Sequence, residues 1–146
     1  MAVDVTSDLV IDRPLDVVAS YVADPTNAPE WYQNIESVEW ETEPVVQPGS
    51  RMTFVARFLG RRLQYTYEIR EYQPGARLVM STAQGPFPME TTYTWAPVSD
   101  QATKMTLRNQ GEPAGFAKVT APMMAAAMQR ANQKDLVNLK TILEKS

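Results

Sequence analysis

The last third of the chain, residues 111–146, constrains the fold most. After Gly-Glu-Pro-Ala-Gly it continues from residue 116 to residue 146 without glycine and with one proline, Pro122. Its residues are mostly strong helix formers, and apolar residues recur at steps of three and four, which predicts a long C-terminal helix. The apolar rows are Phe116, Val119, Met123 and Ala127, then Met124, Met128 and Ala131, and later Leu136, Leu139, Ile142 and Leu143. At about 100° per residue these rows do not superpose, which favours a helix embraced by a curved surface over one lying on a flat surface.

The N-terminal residues predict one strand followed by a pair of short helices. Val3, Val5, Leu9 and Ile11 alternate with polar residues, as in a strand with one buried face. Pro14 suits the first turn of a helix, which we expect from Leu15 to about Ala23. Turn-forming residues follow at 24–27, and a second short helix is expected around residues 28–33.

Between Val38 and Gly111 the apolar period changes to two, and short turns divide the segment into six strands. Six strands joined in this way predict an antiparallel meander with one covered face. The buried phase of residues 77–84 is ambiguous between Leu78/Met80 and Val79/Ser81. Because a long sheet twists and coils, it can grip the C-terminal helix. The predicted fold is therefore α+β: a seven-stranded curved antiparallel sheet around a long C-terminal helix, with two short helices after strand 1.

Composition excludes several function classes. The 146 residues include no cysteine and no histidine, which removes thiol chemistry and the commonest metal ligand. A net charge of −3 without a basic stripe argues against nucleic-acid binding. Neither a signal peptide nor an apolar run of about 20 residues is present, so we expect no membrane span. We predict one cytoplasmic domain over residues 1–146, independent of metals and cofactors; a homodimer is left open.

Several local motifs carry a resemblance to a known family. They are Ile11-Asp12-Arg13-Pro14, Asp24-Pro25, Pro29-Glu30-Trp31-Tyr32, Glu71-Tyr72-Gln73-Pro74-Gly75-Ala76-Arg77-Leu78, and the ending from Asp135-Leu136 to Glu144. With the order of elements, they make the whole chain resemble the helix-grip fold of the START/Bet v 1-like superfamily. More narrowly, it resembles the polyketide cyclase/dehydrase and lipid-transport group (SRPBCC). The resemblance implies a cavity between sheet and helix that holds a lipophilic small molecule such as a lipid, polyketide or quinone-like compound. Trp31 is expected in the core, with the rim of a ligand entrance as the alternative.

The residues expected to meet a ligand are those with inward parity on the sheet and those on the apolar side of the helix. The sheet supplies Phe54, Phe58, Tyr65, Tyr67, Met80, Tyr93, Trp95, Met105 and Leu107, and the helix supplies Met123, Met124, Met128 and Ala131. Asn109, Asn132 and Asp135 are candidate polar groups of the same pocket. The apolar residues could equally fill a packed core, since pocket and core have the same composition. For Asp135 a solvent-exposed position is expected, although it falls between Ala131 and Leu139 on an apolar row.

Binding or transport is the favoured function, because no carboxylate or arginine of the strands has a clear inward parity. Charged residues of the strands, namely Arg57, Arg70, Arg108, Glu68 and Glu90, have outward parity. A tyrosine with its usual pKa of about 10 is a poor base. The first alternative is a cyclase or dehydratase that uses Tyr65 and Tyr67 as acids.

The second alternative is a module that docks a protein or a membrane. Residues 85–89, Gly-Pro-Phe-Pro-Met, could form the apolar tip of such a surface. They could also form a lid over the pocket, but a turn stiffened by proline is the first interpretation.

Overall fold

A computed structural model describes residues 3–112 and 120–145. Its strands are β1 (Val3–Ile11), β2 (Ile35–Trp40), β3 (Arg51–Phe58), β4 (Arg61–Gln73), β5 (Arg77–Gln84), β6 (Met89–Ser99) and β7 (Ala102–Gly111). Its helices are α1 (Leu15–Ala23), α2 (Ala28–Trp31) and α3 (Ala121–Lys145), and a 3-10 turn at Pro25–Asn27 joins the first two. None of these helices combines the length and apolar character that crossing a membrane requires.

The seven strands form one antiparallel sheet in the order β1-β7-β6-β5-β4-β3-β2. Strands β2 to β7 are therefore a meander, as the sequence predicts. The last strand, β7, pairs with the first, β1, so that Val5 lies opposite Asn109 and Ile11 opposite Thr103. The predicted helix-grip architecture, with a curled sheet and a long C-terminal helix, is confirmed.

The interior contains two hydrophobic clusters at different levels of α3. The larger one packs Leu136, Leu139 and Leu143 of α3 with residues such as Ile11 and Trp31. The smaller one surrounds Met124, near the start of α3; its other buried members are Val3, Val5, Leu63 and Phe87. From Met124 to Leu136 the helix rises about 18 Å. Between these two positions, Met128 packs against the smaller cluster and Ala131 belongs to neither.

Several local predictions can now be compared with the fold. Trp31 is buried in the core as expected. On β5, Leu78 and Met80 belong to the interior cluster, but Val79 is buried as well, so alternation could not identify the inward face. Phe116 and Val119, the first two residues of the predicted helix row, lie outside the described residues.

The inward placement of Met123 is wrong. Its side chain is 58% exposed, whereas the neighbouring Met124 is fully buried. Adjacent residues of a helix point about 100° apart, so only one of two neighbouring methionines can face the sheet.

Candidate functional site

A cavity of about 150 Å³ lies between α3 and the sheet and is lined by members of both clusters. From α3 it is lined by Met124, Met128, Ala131, Asn132 and Asp135. The opposite wall comes from the strands and includes Phe54, Tyr65, Tyr67 and Tyr93. One side reaches the surface at Arg57, whose side chain is 62% exposed and pairs with Glu36 at 3.6 Å. The site is thus a mainly apolar recess with a small number of polar groups, as small-molecule sites commonly are.

Most of the residues expected to meet a ligand lie on this cavity. They are Phe54, Phe58, Tyr65, Tyr67, Met80, Tyr93, Asn109, Met124, Met128, Ala131, Asn132 and Asp135. Trp95, Met105 and Leu107 do not line it. These three share the inward parity and belong to the larger cluster, which also includes the lining residues Phe54, Tyr67, Met80 and Tyr93. Trp95 is paired to Met105 across β6 and β7. Parity identifies the inward face of a strand, but position along the strand decides whether a buried side chain also borders the cavity.

Three aromatic rings form one wall of the cavity. Phe54 on β3 lies opposite Tyr65 on β4, and their rings stack with centroids 5.4 Å apart. Tyr67 meets Tyr65 edge to face at 5.0 Å between centroids. Directly opposed residues on antiparallel strands are close enough for such contacts, and pairs of aromatic residues stabilise the sheet. The rings hold each other in place and present a rigid apolar surface to the cavity.

A chain of polar side chains crosses the cavity from β4 to α3. The hydroxyls of Tyr67 and Thr91 are 2.8 Å apart, and the Thr91 hydroxyl donates to Asn109 Oδ1 at 2.7 Å. Asn109 Nδ2 in turn donates to Asn132 Oδ1 at 3.0 Å. Within the described part of the chain, Asn132 Nδ2 has no hydrogen-bond partner, although Asn132 is only 5% exposed. The chain therefore ends on α3 in an amide donor that the protein leaves unsatisfied.

A second polar group joins α3 to the segment after α2. The hydroxyls of Tyr32 and Tyr93 are 2.7 Å apart. Asp135 accepts a hydrogen bond at Oδ1 from the backbone N–H of Gln33, at 3.0 Å. Tyr32, Tyr93 and Asp135 all line the cavity, and the charge of Asp135 acts on both phenols.

The expectation that Asp135 is exposed is wrong: only 3% of the residue is accessible. Its position on the apolar row between Ala131 and Leu139 was the correct signal, because residues at these spacings share a helix face. Burial raises the pKa of Asp135 to about 6, and the Gln33 N–H opposes this shift only in part. An inward carboxylate is therefore present, contrary to the sequence interpretation, and its pKa is close to neutrality.

The cavity phenols stay protonated near neutral pH. Burial raises the pKa of Tyr67 to about 12 and is the main cause that raises the pKa of Tyr32, Tyr65 and Tyr93 well above the usual value. Removing a phenolic proton would create a charge in a poorly solvated place. These tyrosines can donate hydrogen bonds but cannot act as bases.

Sequence reasoning missed several polar residues of the lining, among them Tyr32 and Thr91. Thr91 shares the parity of Tyr93 on β6 and could have been found from that alternation. Tyr32 directly follows α2, where no periodic pattern could have predicted its orientation.

Residues 85–88 form the connection between β5 and β6, and Phe87 is buried on the cavity lining. Residues 85–89 therefore do not form an exposed apolar tip.

Comparison with solved structures supports the fold. A START superfamily protein from Mycobacterium smegmatis superposes with a TM-score of 0.84 at 14% identity, covering 97% of both chains. Protein TTHA0849 from Thermus thermophilus has a TM-score of 0.82 at 19% identity, again over 97% of each chain. The Zhui aromatase/cyclase from Streptomyces sp. R1128 has a TM-score of 0.80 at 16% identity, covering 99% of this chain and 95% of that one. At these identities the likeness concerns the fold alone.

The sequence itself identifies the family. No curated protein matches the chain significantly. A family model described as polyketide cyclase/dehydrase and lipid transport matches residues 2–144, which is nearly the whole chain. The resemblance in its local motifs is thereby confirmed, and the chain belongs to the polyketide cyclase/dehydrase and lipid transport family.

Proposed function

We propose that this protein binds a compact hydrophobic molecule in the cavity between α3 and the sheet. The observation that carries the proposal is the cavity itself, which is mainly apolar, has one wall of three aromatic rings and contains a few polar groups. Membership of the family supports hydrophobic-ligand binding or a cyclase role in general. Flexible methionines on the lining, Met80, Met124 and Met128, can adapt to guests of different shape.

The size of the cavity limits the guest. Pockets for drug-sized ligands measure about 300–1,000 Å³, whereas an apolar cavity of roughly 150 Å³ can bind benzene. At about 150 Å³, the cavity suits a single ring or a short chain. A longer lipid or a multi-ring polyketide would require Met128 or Phe87 to move outward. We therefore expect single-ring compounds to bind more tightly than long-chain ones.

Blocking the cavity tests the proposal. Single-ring aromatic compounds should bind the purified protein with measurable heat in calorimetry, and organic extraction followed by mass spectrometry should show whether a lipophile co-purifies. Ala131→Phe places a ring in the cavity and should abolish probe binding, whereas Ala126→Phe, on the exposed side of the same helix, should not. Absence of binding to the parent protein, or equal binding by both variants, would count against the proposal.

Asp135 favours a second candidate, a cyclase- or dehydratase-type enzyme. A general base is most effective when its pKa lies near the working pH, and that of Asp135 is raised to about 6. The protonated phenols of Tyr32 and Tyr93 are within electrostatic reach of this carboxylate. Asp135 could accept a proton from carbon next to a carbonyl while a phenol donates a hydrogen bond to the carbonyl oxygen. The Zhui aromatase/cyclase has a related fold, which is compatible with such chemistry.

Deuterium exchange distinguishes an enzyme from a binding protein. A compact β-diketone incubated with the protein in D2O should exchange its acidic C–H faster than in buffer, as measured by NMR. Asp135→Asn preserves the acceptor for Gln33 N–H but removes the base, and should lower the exchange rate to that of buffer. Exchange that is no faster with the parent protein than in buffer would leave binding as the function.

A further inference from the structure

We infer that the bound molecule carries a neutral oxygen acceptor, such as a ketone, quinone or lactone carbonyl, and that Asn132 Nδ2 donates to it. This inference rests on the proposed binding function and adds the polar group by which the cavity would select its ligand. It begins from the amide donor of Asn132, which has no partner among the described residues.

The direction of the polar chain determines which atom of Asn132 is free. Thr91 donates to Asn109 Oδ1, so the Asn109 carbonyl points toward Thr91 and its NH2 group points toward α3. Asn109 Nδ2 then occupies Asn132 Oδ1. The NH2 group of Asn132 is then the part of the amide that has no partner, and it can donate but cannot accept. The chain of hydrogen bonds therefore leaves a donor at the cavity, which a ligand with an acceptor atom would satisfy.

Leaving this donor unpaired lowers stability. A buried donor without a partner costs about 1–3 kcal/mol, and buried polar groups are usually satisfied. Asn132 lies on the cavity lining, so its buried amide is adjacent to the space that a ligand oxygen would occupy. A site built to donate a hydrogen bond discriminates against an analogue that lacks the acceptor, because the amide would then stay unpaired.

The charges around the cavity favour a neutral acceptor over a carboxylate. Asp135 lies three residues after Asn132 and also lines the cavity, so its ionised form would repel an anion beside Asn132. Arg57 is the only cation among the described lining residues, and it lies at the surface with Glu36 as its partner. A carboxylate beside Asn132 would therefore meet a negative charge and no interior positive one.

Three probes of one ring size test this inference by calorimetry at pH 8. Acetophenone has a carbonyl, ethylbenzene has nearly the same shape without an acceptor, and benzoate is anionic. Acetophenone should bind roughly ten-fold more tightly than ethylbenzene, and benzoate should bind more weakly than either. Asn132→Leu should reduce the ratio of the two neutral affinities to about one. Gln133→Leu makes the same kind of change on the exposed side of α3 and should leave the ratio unchanged.

The outcomes separate this inference from the proposed function. If ethylbenzene binds as tightly as acetophenone, or benzoate binds most tightly, the inference is wrong while the proposal of a binding cavity stands. If no probe binds, both are wrong.

Infrared spectroscopy provides a test that needs no variant. The C=O stretch of acetophenone labelled with carbon-13 should move to lower frequency in the complex than in an alkane solvent. An unshifted band in the complex would contradict a hydrogen bond from Asn132.

Discussion

Two consecutive segments of α3 face the same sheet but produce different interfaces. The packed segment, Leu136, Leu139 and Leu143, is buried against the larger cluster. The cavity segment, Met128, Ala131, Asn132 and Asp135, lines the empty space. Leucines on one helix face fill the space between helix and sheet, whereas an alanine and two short polar residues leave part of it open. The difference between the segments indicates that side-chain size at inward positions, more than backbone architecture, determines where the interior of this fold stays open.

Shortening one side chain in each segment should show the largest difference between the two segments. Leu139→Ala removes a fully buried side chain and should lower the free energy of unfolding by about 2–5 kcal/mol. Met128→Ala should cost under about 1.5 kcal/mol, because Met128 is only half-buried and already borders the cavity. Urea denaturation of the two variants measures both values. Equal losses would mean that the cavity segment is as tightly packed as its neighbour.

The buried carboxylate of the cavity segment should give a stability that depends on pH. Because folding raises the pKa of Asp135 from 3.8 to about 6, the folded protein holds this proton more tightly than the unfolded chain. The favourable contribution is complete below pH about 4 and is lost as the pH rises through about 6. At 1.36 kcal/mol per pKa unit, the shift corresponds to about 3 kcal/mol.

Asp135→Asn should therefore make the protein more stable than the parent at pH 8, by up to about 3 kcal/mol. The difference should become small at pH 4, where the parent carboxyl is protonated. Denaturation at both pH values measures the change. A variant that is less stable than the parent at pH 8 would show that the ionised carboxylate stabilises the fold. The cavity segment would then resemble an ordinary satisfied core.

The smallest expected effects come from removing the hydrogen bonds that join α3 to its neighbours. Gln129, next to the cavity segment, donates from Nε2 to Thr6 O and Ser7 Oγ on β1. Asn138, within the packed segment, donates from Nδ2 to the backbone oxygens of Glu30 and Trp31. Gln129→Ala and Asn138→Ala should each cost about 1 kcal/mol, measured by thermal denaturation.

Probe binding should separate these two variants. We expect Gln129→Ala to weaken ethylbenzene binding more than Asn138→Ala does, because it loosens the part of α3 beside the cavity. The reverse order in calorimetry would mean that the packed segment controls access to the cavity.

The periodicity of the sequence shows which residues face the interior, but not which of them border the cavity. Alternation along the strands and the spacing of three and four residues along the helix predicted many of the buried residues, including Phe54, Tyr67 and Leu139. It could not show that Tyr93 borders the cavity and Trp95 does not, since both have the same parity. It also misjudged Asp135, because a charged residue is rarely buried and the apolar row was given less weight than that general preference.

The sequence by itself determined the α+β class, the meander, the long C-terminal helix and the family, because each follows from periodicity and local motifs. Only the tertiary structure decided where the interior is filled and where it is open. It also joined Tyr67, Thr91, Asn109 and Asn132, residues from three strands and α3, into one polar chain. The physical reason is that a period reports which side of an element is buried. Volume and hydrogen-bond direction depend on which elements meet at each level, and this is a property of the assembled fold.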